Sequence, residues 1–199
     1  RRFSPQNIWL NQAEQSQIVQ KAARILKEDT EKRGFKVYRD IGESLPQFAL
    51  YNQNAELVNP DMFRGKQMVI NFIFTRCPDA NMCPLSTTKM MQLQTKAAQA
   101  GITNLQLVSV TLNPEYDTPG ILNEFASMRG IDTSNFSFLT GPENLLKNFF
   151  RQLGISLFTE DNLIRHSLNT LLIDESGHIV HMQEGSNWDP DDFLNRLHR

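Results

Sequence analysis

From Met68 to Phe74 the chain carries a single polar residue, Asn71, and three positions later it presents the first of its two cysteines. Cys77 and Cys83 follow the apolar run, and Pro84 stands directly behind the second of them. A short, unbroken stretch rich in β-branched and aromatic residues reads as a buried strand. Proline suits the first turn of a helix, where its missing N–H would have no partner anyway. The segment therefore predicts a buried strand, a tight loop holding two thiols, and a helix. Such a loop at a strand-to-helix turn points to redox or soft-metal chemistry rather than to packing.

The 199 residues are enough for one domain with an extension and for a substantial core. With 40% hydrophobic and 21% charged residues the composition is that of an ordinary globular chain, and a net charge of −2 gives no electrostatic case for a nucleic-acid partner. No apolar run approaches the roughly 20 residues that span a bilayer. The chain opens Arg1-Arg2-Phe3, without Met and without the apolar stretch of a signal peptide, and reads as a trimmed mature or expression form. Two cysteines are too few for a disulfide scaffold. A single structural disulfide is the plain alternative, but closing so small a loop stabilises little.

Residues 1–34 read as a helical extension. Ile18, Val19, Ala22, Ile25 and Leu26 recur at helical spacing between about Gln12 and Arg33, and Gly34 is a natural stop. Such a helix would lie on the domain or on a partner subunit. Residues 35–199 alternate between strand and helix. Strands are expected at Leu45–Leu50, Met68–Thr75, Leu105–Thr111, Phe136–Leu139, Asn169–Asp174 and Ile179–Gln183. Helices are expected at Leu85–Ala100, Pro119–Met128, Pro142–Leu153 and Asp189–Leu197. This order predicts a three-layer α/β/α domain with a mixed central sheet, the arrangement of a thioredoxin-like fold.

At the turn, Cys83 lies where the helix dipole and free N–H groups favour a thiolate, the form that attacks disulfides and binds soft metals. Two thiolates alone make an exchange-prone metal site, so a third ligand would change the reading. Of the four histidines, His198 sits near the terminus and is expected to be solvated. His178 follows Gly177 in a hairpin turn, and His181 falls within a strand pattern. His166 stands at a loop-to-strand junction that, in a thioredoxin-like fold, faces the cysteine turn.

Three blocks, in order, resemble the Sco/SenC family: Thr75-Arg76-Cys77-Pro78-Asp79 with Cys83-Pro84, then Ser109 through Asp117-Thr118-Pro119, then His166-Ser167 with Leu172, Asp174 and Gly177. The resemblance covers roughly residues 45–197. These are membrane-tethered, thioredoxin-like proteins implicated in assembling the copper site of cytochrome c oxidase. The resemblance implies that Cys77, Cys83 and His166 are copper ligands, since two thiolates and an imidazole suit Cu(I), or Cu(II) with additional ligation. It further implies a copper-receiving partner such as cytochrome c oxidase subunit II. The implied location is the bacterial periplasm or the outer face of the inner membrane, with a tether outside the chain shown.

Two departures stand out. Five residues separate the cysteines here, where the family usually has three, and Asn113 stands where Asp is frequent. The longer loop also sets Met82, a soft thioether, beside Cys83. The main rival reading is a thiol–disulfide oxidoreductase in which Cys77 and Cys83 form the redox pair, reset by a separate thiol reductase. Against it, the usual two-residue spacing is absent and no proline falls between Pro142 and Pro190 to oppose the cysteines. A thiol peroxidase would place its cysteine three positions after a threonine, whereas Thr75 precedes Cys77 by two. A closed zinc site normally has four protein ligands.

Overall fold

In the computed structural model of the chain, the described residues are 16–160, 163–166 and 169–198, with backbone alone described for 157–160 and 163–166. The apolar run forms β3 (Gln67–Ile73), buried at every position, and Leu105–Thr111 forms β4, equally buried. They pair in parallel with Ile70 opposite Val108. A parallel pair covered on both faces requires side chains that suit an interior on each side, which is why neither strand alternates. β5 (Phe136–Leu139) adds in parallel beyond β4, while β8 (Asn169–Ile173) and β9 (Ile179–Glu184) add antiparallel on the other side. The sheet order is β5-β4-β3-β8-β9. The thioredoxin-like three-layer expectation holds.

Neighbouring residues of β3 show the layers directly, because successive side chains leave a strand on opposite faces. Asn71 donates to Ser86 Oγ of α2 (Cys83–Gln99) at 2.9 Å, whereas the Phe72 ring meets Phe150 of α4 (Glu143–Gln152) edge-on at 5.8 Å. On the α2 side, Phe125 of α3 (Pro119–Met128) packs on Phe138, and Trp188 before α5 (Pro190–Arg196) donates to Ser86. On the α4 side lies α1 (Gln17–Arg33), with Val19, Leu26 and Thr30 buried.

The helical extension is fastened by polar groups as well as by apolar ones. Gln152, fully buried on α4, donates to Thr30 Oγ1 at 3.0 Å and accepts from Arg39 Nε at 2.9 Å. Arg39 in turn reaches Asp29, and Arg33 reaches Glu43, each at 2.6 Å. Residues 12–15 of the expected helix lie outside the described residues.

Two expectations fail in instructive ways. Leu45–Leu50 is not a strand: only Leu50–Tyr51 (β1) pairs, antiparallel with Leu57–Val58 (β2). Pro46 has no N–H for a ladder, and the preceding Leu45 N–H is taken by Gly177 O at 2.8 Å. Beyond Leu45 the segment turns inward, and the Phe48 ring meets Phe149 of α4 edge-on at 5.3 Å. Conversely, Leu157–Glu160 (β6) and Leu163–His166 (β7) pair as an antiparallel hairpin absent from the expected strands, so His166 ends a strand rather than standing at a loop-to-strand junction.

Gln152→Ala strands the Arg39 and Thr30 groups that it satisfies, so stability should fall by about 1–3 kcal/mol in urea unfolding. Unchanged stability would contradict this account of how α1 is held. Glu43, held down to about 2 by the Arg33 guanidinium and the Asp40 N–H, contributes stability above the ordinary glutamate value that is lost as pH falls through about 2. Glu43→Gln should flatten the acid limb of the stability curve, and a variant with the same acid limb would contradict the pairing.

Candidate metal and thiol site

The end of β3 fixes the root of the cysteine turn. Cys77 N–H donates to Phe74 O at 3.2 Å, so the backbone reverses as soon as the strand ends. Asp79 then folds the remainder of the loop. Its Oδ1 accepts from Asn81 N at 2.9 Å and its carbonyl from Met82 N at 3.1 Å, while Cys77 Sγ lies 3.8 Å from the same carbonyl. This local Asx turn absorbs the added loop length and lets the chain return to begin α2 at Cys83, with Pro84 second rather than first in the helix. Met82 is the N-cap residue, and its carbonyl accepts from Ser86 N at 2.9 Å.

The two sulfurs meet in different environments. Neither cysteine is in a disulfide; Cys77 is half-buried, whereas Cys83 is 1% exposed. Burial pushes the Cys83 thiol well above its ordinary value, and Cys77, close enough to share a hydrogen bond with it, adds to the rise. The helix N-terminus was expected to favour a thiolate there. Desolvation outweighs it, because the dipole supplies about 0.3–1 kcal/mol while full burial shifts a thiol by several times that. The accessible Cys77 is the sulfur that an incoming partner meets first, with Cys83 behind it.

Beneath the turn lies a carboxylate that the sequence reading assigned no role. Asp117 is fully buried and accepts from Thr75 N at 3.1 Å, from Thr75 Oγ1, and from Thr111 Oγ1 at 2.5 Å. Burial raises its carboxyl above the usual range, opposed by these hydrogen bonds and by the Arg76 charge. Arg76 itself lies 3.5 Å over the Tyr116 ring. Asn113, the departure from the family pattern, turns the chain here: its carbonyl accepts from Asp117 N at 2.9 Å. The only sequence clue was Asp117 itself, directly before the α3 cap Thr118, and its partners lie far apart in the chain.

The β8 register sets Ile70 opposite Leu171, so β8 enters the sheet at the end where β3 leaves it for the cysteine turn. The backbone of His166 closes β7 three residues before β8 begins; its side chain lies outside the described residues. The other histidines have other engagements. His178 Nδ1 is 2.7 Å from Ser176 Oγ in the β8–β9 turn, and His181 pairs with Asp192 at 3.2 Å beside the Phe193 ring. His198 is exposed, as expected, and its backbone is clasped by the Gln67 side chain, with 2.7 Å bonds in both directions.

Comparison with known proteins covers the same region. The SCO1/SenC family model matches residues 39–199. An SCO2-like protein from Rickettsia prowazekii is 32% identical over 150 residues, covering 72% of this chain and 70% of its own. A SCO1/SenC family lipoprotein from Bacillus anthracis superposes with a TM-score of 0.70 at 27% identity, over 80% of this chain and 96% of that one. ScoI from Arabidopsis thaliana, solved with copper bound, gives 0.67 at 25% identity, over 79% and 95%.

The asymmetry between the thiols is directly measurable. In the reduced native protein, iodoacetamide should alkylate Cys77 at least tenfold faster than Cys83, as read by mass spectrometry of the peptides. Equal rates, or faster modification of Cys83, would contradict the burial described here.

Proposed function

Because the chain belongs to the SCO1/SenC family, we propose that it carries copper as cargo, held by Cys77, Cys83 and His166. The observation that supports the reading is the pair of thiols brought within reach of one another at the sheet end where β8, three residues after His166, enters. Two thiolates with one imidazole form a soft donor set suited to Cu(I), and to Cu(II) with additional ligation. Uptake displaces thiol protons, since thiolate is the ligating form. Cys77 is the more accessible ligand, so cargo leaves by exchange of its sulfur for one from a receiving thiolate site, and Cys83 lets go afterwards. The receiving site that fits is that of cytochrome c oxidase, on subunit II.

Thiol exchange on that same partner is the second reading, and the burial difference favours the order of its steps. Cys77 thiolate attacks a partner disulfide and releases one partner thiolate. Cys83 then attacks the Cys77 sulfur, releasing the second and leaving Cys77–Cys83 oxidised. The partner gains two electrons, and a thiol reductase must return them to this protein. Either role places the domain outside the cytoplasmic membrane, in the bacterial periplasm or at the outer face of the inner membrane. Among the described residues no helix is long and apolar enough to cross a membrane.

Anaerobic titration of the reduced protein with Cu(I) against a competing chelator distinguishes the two. One tight equivalent, weakened at least tenfold in His166→Ala and in Cys77→Ser with the fold retained, is expected. Equal affinity in His166→Ala would remove the histidine from the site. Absence of tight copper, with rapid exchange of the disulfide in a thiol buffer, would leave the reductase reading.

A further inference from the structure

We propose that Asp117 is the positioning residue of the dithiol: its buried carboxylate clamps Thr75 and thereby sets where Cys77 stands relative to Cys83. Packing does not require a carboxylate at this place. A buried carboxylate is costly unless hydrogen bonds satisfy it. Capping does not require one either, because Thr118 already receives Ile121 N at the start of α3. What the site requires is an acceptor for donors only. Thr75 N–H, Thr75 Oγ1–H and Thr111 Oγ1–H all point at the two oxygens of Asp117. An ionised carboxylate is acceptor-only on both oxygens, whereas asparagine would turn an NH2 group towards donors.

The clamped residue is inside the turn that launches the cysteine loop. The bond from Cys77 N to Phe74 O encloses Thr75 and Arg76. Fixing Thr75 through both its amide and its hydroxyl therefore fixes the direction in which the chain reaches Cys77. Cys83 needs no such clamp, since it is the first residue of α2 and fully packed, and Thr87 Oγ1 donates to its carbonyl at 2.8 Å. One thiol is thus set by the helix, and the other by a carboxylate from the β4–α3 connection. Releasing Thr75 lowers the effective concentration of Cys77 at Cys83, which weakens both the disulfide and any chelate that needs both sulfurs.

The test equilibrates the protein with the glutathione couple. Each glutathione disulfide takes two electrons and two protons from the dithiol, leaving the Cys77–Cys83 disulfide and two reduced glutathiones. Asp117→Asn should shift this equilibrium at least tenfold towards the dithiol, and Thr75→Val, which removes one of the three donors, should shift it less in the same direction. Cu(I) affinity should fall in parallel; that readout alone rests on the copper reading. Gln152→Ala, destabilising but remote from the turn, should move neither quantity. Wild-type equilibria in folded Asp117→Asn would overturn the proposal, as would an equal shift in Gln152→Ala. If Asp117→Asn fails to fold, Thr75→Val decides by the same criterion. If the wild-type protein binds no tight Cu(I), the copper reading fails while the glutathione equilibrium still decides the role of Asp117.

Discussion

Burial of β3 on both faces is what the rest of the site depends on. With Asn71 turned into the α2 layer and Phe72 into the α4 layer, the strand cannot shift by one residue without placing an amide in the aromatic cluster. Its pairing with β4 and β8 fixes the register from each side. The point at which the chain leaves the sheet is then determined to the residue, and two positions beyond the clamped Thr75 stands Cys77. A loop alone could not hold two sulfurs in reach of each other against its own entropy. Here one end is a strand locked in the sheet, and the other is the first residue of a packed helix.

The polar groups inside this frame divide into two systems with different work. Asn71, Ser86, Ser109 and Trp188 form a neutral network that joins the sheet to α2 and to the segment before α5. Asp117 with Thr75 and Thr111 forms a second, centred on a carboxyl group, directly under the cysteine turn. The first secures the layer on which Cys83 rides. The second acts on the approach to Cys77. On the far face, Gln152 and the ion pairs of Arg33 and Arg39 fasten α1 without touching the thiols.

Much of the fold was legible because buried strands and capped helices leave unambiguous patterns. Leu105–Thr111, Pro119–Met128 and Phe136–Leu139 were read at the boundaries that the structure has. Misreadings arose where tertiary contacts replaced local preference. Leu45–Ala49 looks like a strand because it is apolar, yet Pro46 and the bond of Leu45 to Gly177 keep it out of a ladder, and Phe48 packs on Phe149 instead. The β6–β7 hairpin was missed because its strands are short and, among the described residues, pair only with each other. At the site, the sequence named the two cysteines but reversed the balance on Cys83, since a helix start is visible in sequence and depth of burial is not. Asp117 was hidden for a similar reason: its donors come from positions 75 and 111, which only the sheet brings together.

The central claim is the proposed copper site, a dithiol joined by the His166 imidazole. X-ray absorption at the copper edge, on reduced protein loaded with one equivalent of Cu(I), tests that claim most directly. Two sulfur donors and one nitrogen donor in the wild-type protein, with the nitrogen lost in His166→Ala, are the predicted result. A sulfur-only copper environment, unchanged by that substitution, would contradict the proposed site.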